Sequence, residues 1–114
     1  MIEWDQVRQL HGEVGPEDFE ELVTLFLQEV DEVATRLEAR GEPEKLQEDL
    51  HFLKGSAMNL GFADFAQACQ RGETRAAKGD AAQVDLPKIL ELYRLSKSEF
   101  LQDLPTRLSP QTSL

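Results

Sequence analysis

The chain has 114 residues, and its 12 Lys and Arg against 22 Asp and Glu give it a formal charge of −10. A chain of this length buries roughly two-thirds of its unfolded surface, which suffices for one domain without a disulfide or metal staple. The single cysteine, Cys69, excludes an internal disulfide framework. The negative charge opposes nucleic-acid phosphates and anionic lipid surfaces, so we expect protein partners and no binding to nucleic acid or membranes.

The sequence lacks common motifs for binding nucleotides and metals. It contains no GxxxxGK(S/T) loop, no GxGxxG turn, no HExxH motif and no CxxC pair. No run approaches the ~18 apolar residues of a membrane span, and the chain does not open with a basic segment followed by an apolar stretch. We therefore expect a cytoplasmic protein with no cofactor of its own.

The first predicted element is a short leading helix with Trp4 near its start. Its apolar side consists of Ile2, Val7 and Leu10. Gly12 is expected to end this helix, because glycine is a poor helix former. We expect His11, beside it, to be a helix-end residue without a functional role.

The second predicted helix is long and runs from Pro16 to the break at Gly41-Glu42-Pro43. Proline and acidic residues fill its first turn, as is usual at helix N-termini. Apolar residues recur at spacings of three and four, which lays one stripe along the helix. The stripe comprises Phe19, Leu22, Val23, Phe26, Val30, Val33, Ala34 and Leu37.

Two further helices are predicted on either side of Gly61. The first opens at Pro43, and its stripe comprises Leu46, Leu50, Leu53, Ala57 and Leu60. The second reaches to about Gly79-Asp80, and its stripe comprises Phe62, Phe65, Ala66, Cys69 and Ala76. This position predicts that Cys69 is a core residue rather than a reactive thiol.

The last predicted helix opens at Asp85-Leu86-Pro87 and closes at Pro105. Its stripe comprises Leu86, Ile89, Leu90, Tyr93, Phe100, Leu101 and Leu104. Four amphipathic helices joined by short turns predict an all-α, up-down-up-down four-helix bundle, with the short helix added at its N-terminus. The domain is predicted to span residues 1–104. Residues 105–114 contain two prolines and no periodicity, and are predicted to form a flexible C-terminal tail.

The helix that opens at Pro43 carries an unusual set of residues on one flank. At 100° per residue, Gln47, His51, Lys54 and Met58 fall within about 60° of one another and away from the leucine stripe, with Gly55 beside them. Glycine inside a helix costs about 1 kcal/mol relative to alanine. We therefore expect that this helix needs open space beside His51.

A phosphoryl group would use that space. A neutral imidazole nitrogen is a competent nucleophile toward an activated phosphoryl centre. Lys54, one turn further on, is placed to neutralise the phosphoryl oxygens in the transition state and the product. Ser56 falls elsewhere on the helix, where a surface hydroxyl and a functional group are equally acceptable interpretations. Phe52 is expected to pack under the short leading helix.

The run His51-Phe52-Leu53-Lys54-Gly55-Ser56, followed by Leu60-Gly61 and Cys69, resembles the signature of histidine-containing phosphotransfer (Hpt) domains. The resemblance covers about residues 1 to 104 and includes Phe19, Glu21, Leu22, Phe26 and Leu27. It implies a four-helix bundle whose exposed histidine accepts a phosphoryl group from a receiver-domain aspartate and passes it to another. By this resemblance His51 is the phosphorylation site, Lys54 the electrostatic helper and Gly55 the residue that provides clearance.

Glu73 falls inside the apolar stripe of its helix, where an unpaired carboxylate would be costly. In the Hpt family a Gln or Glu at this offset from the histidine contacts the imidazole. The resemblance therefore implies that Glu73 accepts a hydrogen bond from His51 Nδ1–H, which leaves Nε2 free as the nucleophile. An ion pair with Lys54 or Arg71 is the alternative interpretation of Glu73.

The resulting hypothesis is a phosphocarrier of two-component signalling, a phosphorelay intermediate and not an autokinase. Expected partners are receiver domains of response regulators or hybrid sensor kinases, which would themselves hold Mg²⁺, and the chain is expected to be a monomer. Gln47 and Met58 are candidates for the surface that a partner covers. The alternative is a helical adaptor of the same fold that binds signalling partners without being phosphorylated.

Overall fold

The computed structural model describes residues 1–40 and 43–108, and the regular structure in these ranges is helical apart from one isolated bridge between Ile2 and Phe62. The predicted all-α class is confirmed. The helices are α1 (Trp4–Val14), α2 (Pro16–Arg40), α3 (Pro43–Leu60), α4 (Ala63–Ala77) and α5 (Leu86–Arg107), with a 3₁₀ turn at Ala81–Gln83. The break predicted at Gly41-Glu42 lies outside the described residues.

The helices bury their apolar stripes against one another. α2 packs on α3, α3 on α4, α4 on α5 and α5 on α2, while α1 packs on both α2 and α3. Aromatic rings fill the centre, with centroid distances of 5.3 Å between Phe62 and Phe100 and 5.2 Å between Phe65 and Tyr93. The predicted stripes are buried or partly buried except at Leu101, which is 47% exposed.

The predicted end of the first helix at Gly12 is wrong. α1 continues through Gly12 to Val14, and Gly15 ends it with a φ of +87°. Gly12 is exposed, and the packing of Val7 and Leu10 outweighs the ~1 kcal/mol that a helical glycine costs. His11 nevertheless lies in the last turn, as predicted, with its ring edge-on to Phe19 at 5.0 Å.

The predicted end of the last helix at Pro105 is also wrong, since α5 continues to Arg107. A proline in the last turn forfeits only one backbone hydrogen bond. Two contacts hold that turn: the Leu108 N–H donates to the Leu104 carbonyl at 3.0 Å, and the Arg107 guanidinium lies 5.4 Å from the Trp4 ring centroid. The helix thus passes the predicted domain boundary, and residues 109–114 of the predicted tail lie outside the described residues.

Gly61 makes the tight turn that sets α4 beside α3. Its φ of +77° favours glycine, and an added Cβ would lie 2.7 Å from the carbonyl oxygen of Glu3. The same turn holds the N-terminal segment, because the Glu3 N–H donates to the Gly61 carbonyl at 2.7 Å. This turn therefore fixes the relation between the two helices that carry the candidate site.

Gly61→Ala is expected to lower the free energy of unfolding by about 2–3 kcal/mol, because it combines an unfavourable φ with a clash against backbone. Gly79→Ala is the matched control. Gly79 ends α4 with a φ of +84° but has nothing within 4 Å of an added Cβ, so we expect a loss of only about 1 kcal/mol. Urea unfolding followed by circular dichroism measures both losses, and equal values would contradict the importance of the Glu3 contact.

Candidate functional site

α3 presents His51 to solvent because its opposite side belongs to the core. The buried side consists of Leu46, Leu50, Leu53, Ala57 and Leu60. The side chain of His51 is 68% exposed. Gln47, Gly55 and Met58 are exposed on the same flank. We call these four residues the His51 strip.

Glu73 of α4 lies behind the imidazole of His51. The distance from His51 Nδ1 to Glu73 Oε2 is 2.8 Å. Because an ionised carboxylate only accepts hydrogen bonds, Nδ1 carries the proton in this contact, and in the neutral imidazole the lone pair is then on Nε2. The contact thus has the geometry in which Nε2 is the nucleophilic atom.

Gly72 lets α4 approach α3 closely enough for this contact. A Cβ added at Gly72 would lie 2.9 Å from Leu50 Cδ1 and 3.1 Å from Ile89 Cδ1. A larger residue would require the ends of these side chains to shift or α4 to move away from α3 and α5. The sequence alone does not single out Gly72, since a helical glycine does not reveal by itself which neighbour it admits.

Lys54 binds the other oxygen of the same carboxylate. Its Nζ lies 2.9 Å from Glu73 Oε1 and donates to Gln70 Oε1 at 2.9 Å. Gln70 in turn donates to Thr74 Oγ1 at 3.2 Å. Glu73 therefore contacts both His51 and Lys54, so two partners that the sequence analysis treated as alternatives are present together, and Arg71 is not among its ion-pair partners.

The charge of Glu73 is stabilised by these neighbours. Its side chain is only 16% exposed. Burial acts to raise the pKa of the Glu73 carboxyl, but hydrogen bonds and positive charge from Lys54 and His51 outweigh burial and lower the pKa below its usual 4.5. Glu73 is therefore ionised at neutral pH, as an acceptor for His51 Nδ1–H requires.

The lowered pKa of Glu73 predicts a pH-dependent contribution to stability. An acid with a lowered folded-state pKa stabilises the protein above its unfolded pKa, and this stabilisation is lost as the pH falls through the folded value. We expect Glu73→Gln to be less stable than the parent at neutral pH, with the difference shrinking below pH 4.5. Urea titrations of both proteins across this range measure it, and a difference independent of pH would contradict the assignment.

Gly55, Phe52 and Ser56 lie close to His51 on α3 and differ in how far they are exposed. A Cβ added at Gly55 meets nothing within 4 Å, so the space predicted beside His51 is open. Phe52 is 39% exposed, so its predicted packing under the first helix is wrong. Ser56 is 6% exposed, which excludes a surface hydroxyl, because it lies between the buried Leu53 and Leu60 stripe positions.

The cysteine thiol near the site belongs to the core. Cys69 is fully buried, as predicted, and burial together with the charge of Glu73 raises the pKa of its thiol to about 12. Within residues 1–40 and 43–108, no three His, Cys, Asp or Glu side chains converge to hold a metal ion. None of the helices in the same ranges is long and apolar enough to cross a membrane.

Comparison with known protein families identifies the family to which a chain with this site belongs. The family model of the Hpt domain matches residues 21–102 of the chain. The chain belongs to the Hpt domain family. Hpt domains are phosphocarrier modules for histidine phosphotransfer in two-component phosphorelays, and they interact with receiver domains. No curated protein and no solved structure gave a significant match.

Proposed function

We propose that this Hpt domain carries a phosphoryl group on Nε2 of His51, taken from a receiver aspartyl-phosphate and passed to another receiver aspartate. The observation that supports this most directly is the exposed imidazole whose Nδ1 is held by Glu73. Nε2 forms a bond to phosphorus as the phosphorus–oxygen bond to the donor aspartate breaks. The products are a phosphoramidate on the ring and a free carboxylate on the donor.

Glu73 is proposed to stabilise the ring during transfer. Phosphorylation of Nε2 on a ring already protonated at Nδ1 gives that ring a positive charge. The ionised carboxylate 2.8 Å from Nδ1 lies where it stabilises this charge. Glu73 also keeps the ring in one orientation, so that Nε2 faces the incoming phosphoryl group.

Lys54 is proposed to neutralise the phosphoryl oxygens. It lies one helical turn from His51, and its side chain is 20% exposed. In the unphosphorylated protein its charge is shared with Glu73 and Gln70. We propose that Nζ turns toward the phosphoryl group when the group arrives, because a doubly charged phosphoryl attracts it more strongly than an amide oxygen does.

Gly55 is proposed to provide clearance for the receiver. Because an added Cβ meets nothing within the protein, the fold itself does not require glycine at this position. The requirement would then come from a partner that approaches α3 beside His51. Gln47 and Met58, exposed on either side, are proposed to form part of the same contact.

Gly55→Ala is expected to raise the free energy of unfolding by up to about 1 kcal/mol through helix propensity. It should also slow transfer from a phosphorylated receiver about tenfold, since a methyl group displaces the partner from its reactive position. Gly12→Ala is the matched control, because Gly12 is also an exposed helical glycine with nothing within 4 Å of an added Cβ. It should gain stability and transfer normally. Normal transfer by Gly55→Ala would contradict the proposed clearance.

We propose that the protein is a monomer in which the four long helices alternate in direction, as the short connections between them favour. We propose no autokinase activity and no metal of its own, so Mg²⁺ is expected in the receiver. A cytoplasmic location is proposed, supported by the single unpaired Cys69.

A two-step chase tests the proposed relay. A receiver domain labelled with radioactive phosphate is mixed with the Hpt domain, and a second receiver is added afterwards. We expect the label to move first to the Hpt domain and then to the second receiver. A complex that forms with either receiver while the label stays on the donor would instead indicate an adaptor that is not phosphorylated.

A further inference from the structure

The last turns of α4 and the residue that follows them form a basic face. Arg71 and Arg75 of α4 and Lys78, just after its end, are exposed and follow one another at spacings of four and three residues. In the part of the chain that the structure describes, none of the three forms an ion pair, although acidic residues outnumber basic ones by 22 to 12. Basic side chains elsewhere do pair with carboxylates, namely Arg8, Arg36, Lys54, Lys88, Arg94 and Lys97.

The two arginines border a groove between α4 and α5. The groove has a volume of about 290 Å³. Exposed Lys88 joins the arginines in its lining, and its apolar part is Val84, Ile89 and Leu92. The one acidic residue of the lining, Asp85, accepts a hydrogen bond from the Lys88 N–H at 3.2 Å as the cap of α5. The groove therefore combines apolar surface with a surplus of positive charge.

This groove lies away from the His51 strip. At 100° per residue, Arg71 and Arg75 are each about 160° from Glu73 around the axis of α4. Glu73 faces α3 and His51, whereas the arginines face α5. A partner bound in the groove would leave His51 open to a receiver.

We propose that the groove between α4 and α5 binds an acidic protein segment with an apolar residue at its centre. The apolar side chain would lie on the partly exposed Val84 and Leu92, while flanking carboxylates pair with Arg71 and Arg75. A long polyanion fits less well, because its ends would extend past this short basic face. There the net charge of −10 on the protein would repel them. The segment and a receiver at His51 bind at the same time, so this site tethers a second partner.

Fluorescence anisotropy with a short labelled peptide, a single leucine flanked by glutamates, tests the proposal. We expect the Hpt domain to bind this peptide, and to bind it much more weakly when the glutamates become glutamines or the leucine becomes serine. The double variant Arg71→Gln with Arg75→Gln should weaken binding about tenfold or more. The matched control, Arg8→Gln with Arg94→Gln, changes two exposed arginines that have partners elsewhere and should bind as the parent does.

Amide shift mapping of the parent protein gives a second readout that does not depend on variants. The peptide should perturb residues 71–92 and leave residues 47–58 unchanged. Perturbation centred on the His51 strip would overturn the proposal, as would the absence of binding. Equal binding of a single-stranded DNA oligonucleotide at the same residues would also overturn it, since the surface would then be a general polyanion site.

Discussion

His51→Gln is expected to abolish phosphorylation of this Hpt domain and to leave its fold intact. Glutamine has no nucleophilic nitrogen, so no phosphoramidate can form. The side chain is 68% exposed and belongs to no core contact, so the free energy of unfolding should change by less than about 0.5 kcal/mol. Transfer from a labelled receiver and urea unfolding measure the two quantities.

The matched control for this substitution is His11→Gln. His11 is the other histidine of the chain, and it lies in the last turn of α1 against the ring of Phe19. We expect His11→Gln to accept the phosphoryl group at the parental rate. Label retained by His51→Gln would contradict the assignment of the site, and marked unfolding of His51→Gln would contradict the exposed position of the side chain.

Lys54→Ala is expected to slow phosphoryl transfer by about tenfold to a hundredfold, because one positive charge is removed from the developing phosphoryl oxygens. It should also cost stability on the order of 1 kcal/mol, since a mostly buried Glu73 loses its ion-pair partner. The sequence alone predicts no loss of stability here, because it does not show that Lys54 is held between Glu73 and Gln70. The rate of transfer from a labelled receiver, followed over time, measures the kinetic effect, and urea unfolding measures the loss of stability.

Lys97→Ala is the control for the stability term. Lys97 is also a partly exposed lysine, and it pairs with Asp31 at 2.8 Å on the side formed by α2 and α5. We expect a similar or smaller loss of stability from this variant and no change in transfer. Unchanged transfer by Lys54→Ala would remove Lys54 from the mechanism, whereas equal slowing in both variants would indicate a general effect of destabilisation.

The sequence predicted the buried faces of the helices well because helical periodicity records burial directly. The stripe of α3 from Leu46 to Leu60 is buried, and the His51 strip, which lies off it, is exposed, although Ser56 is buried as well. Helix ends were predicted less well. Gly12 and Pro105 are poor helix formers, but packing of α1 and the contact between Arg107 and Trp4 carry the helices past them.

The contacts between helices were harder to predict from the sequence. The offset between His51 and Glu73 pointed to their contact only through the family resemblance, since periodicity places each residue on its own helix and gives no register between helices. Gln70 and Thr74, which connect to Lys54, were not predicted. Gln70 and Thr74 are four residues apart on α4 and flank Glu73 in the sequence. This spacing, which places both on one side of the helix, was the only indication in the sequence that they lie near the site.

The most direct test of the central claim is to locate the phosphoryl group itself. The Hpt domain is incubated with a phosphorylated receiver, and the adduct is then mapped by mass spectrometry and tested for stability in acid and in alkali. We expect one phosphoryl group per chain, labile in acid and stable in alkali, on the peptide that contains His51. A phosphoryl group on His11, an acid-stable adduct on a hydroxyl, or no adduct with any receiver tested would contradict it.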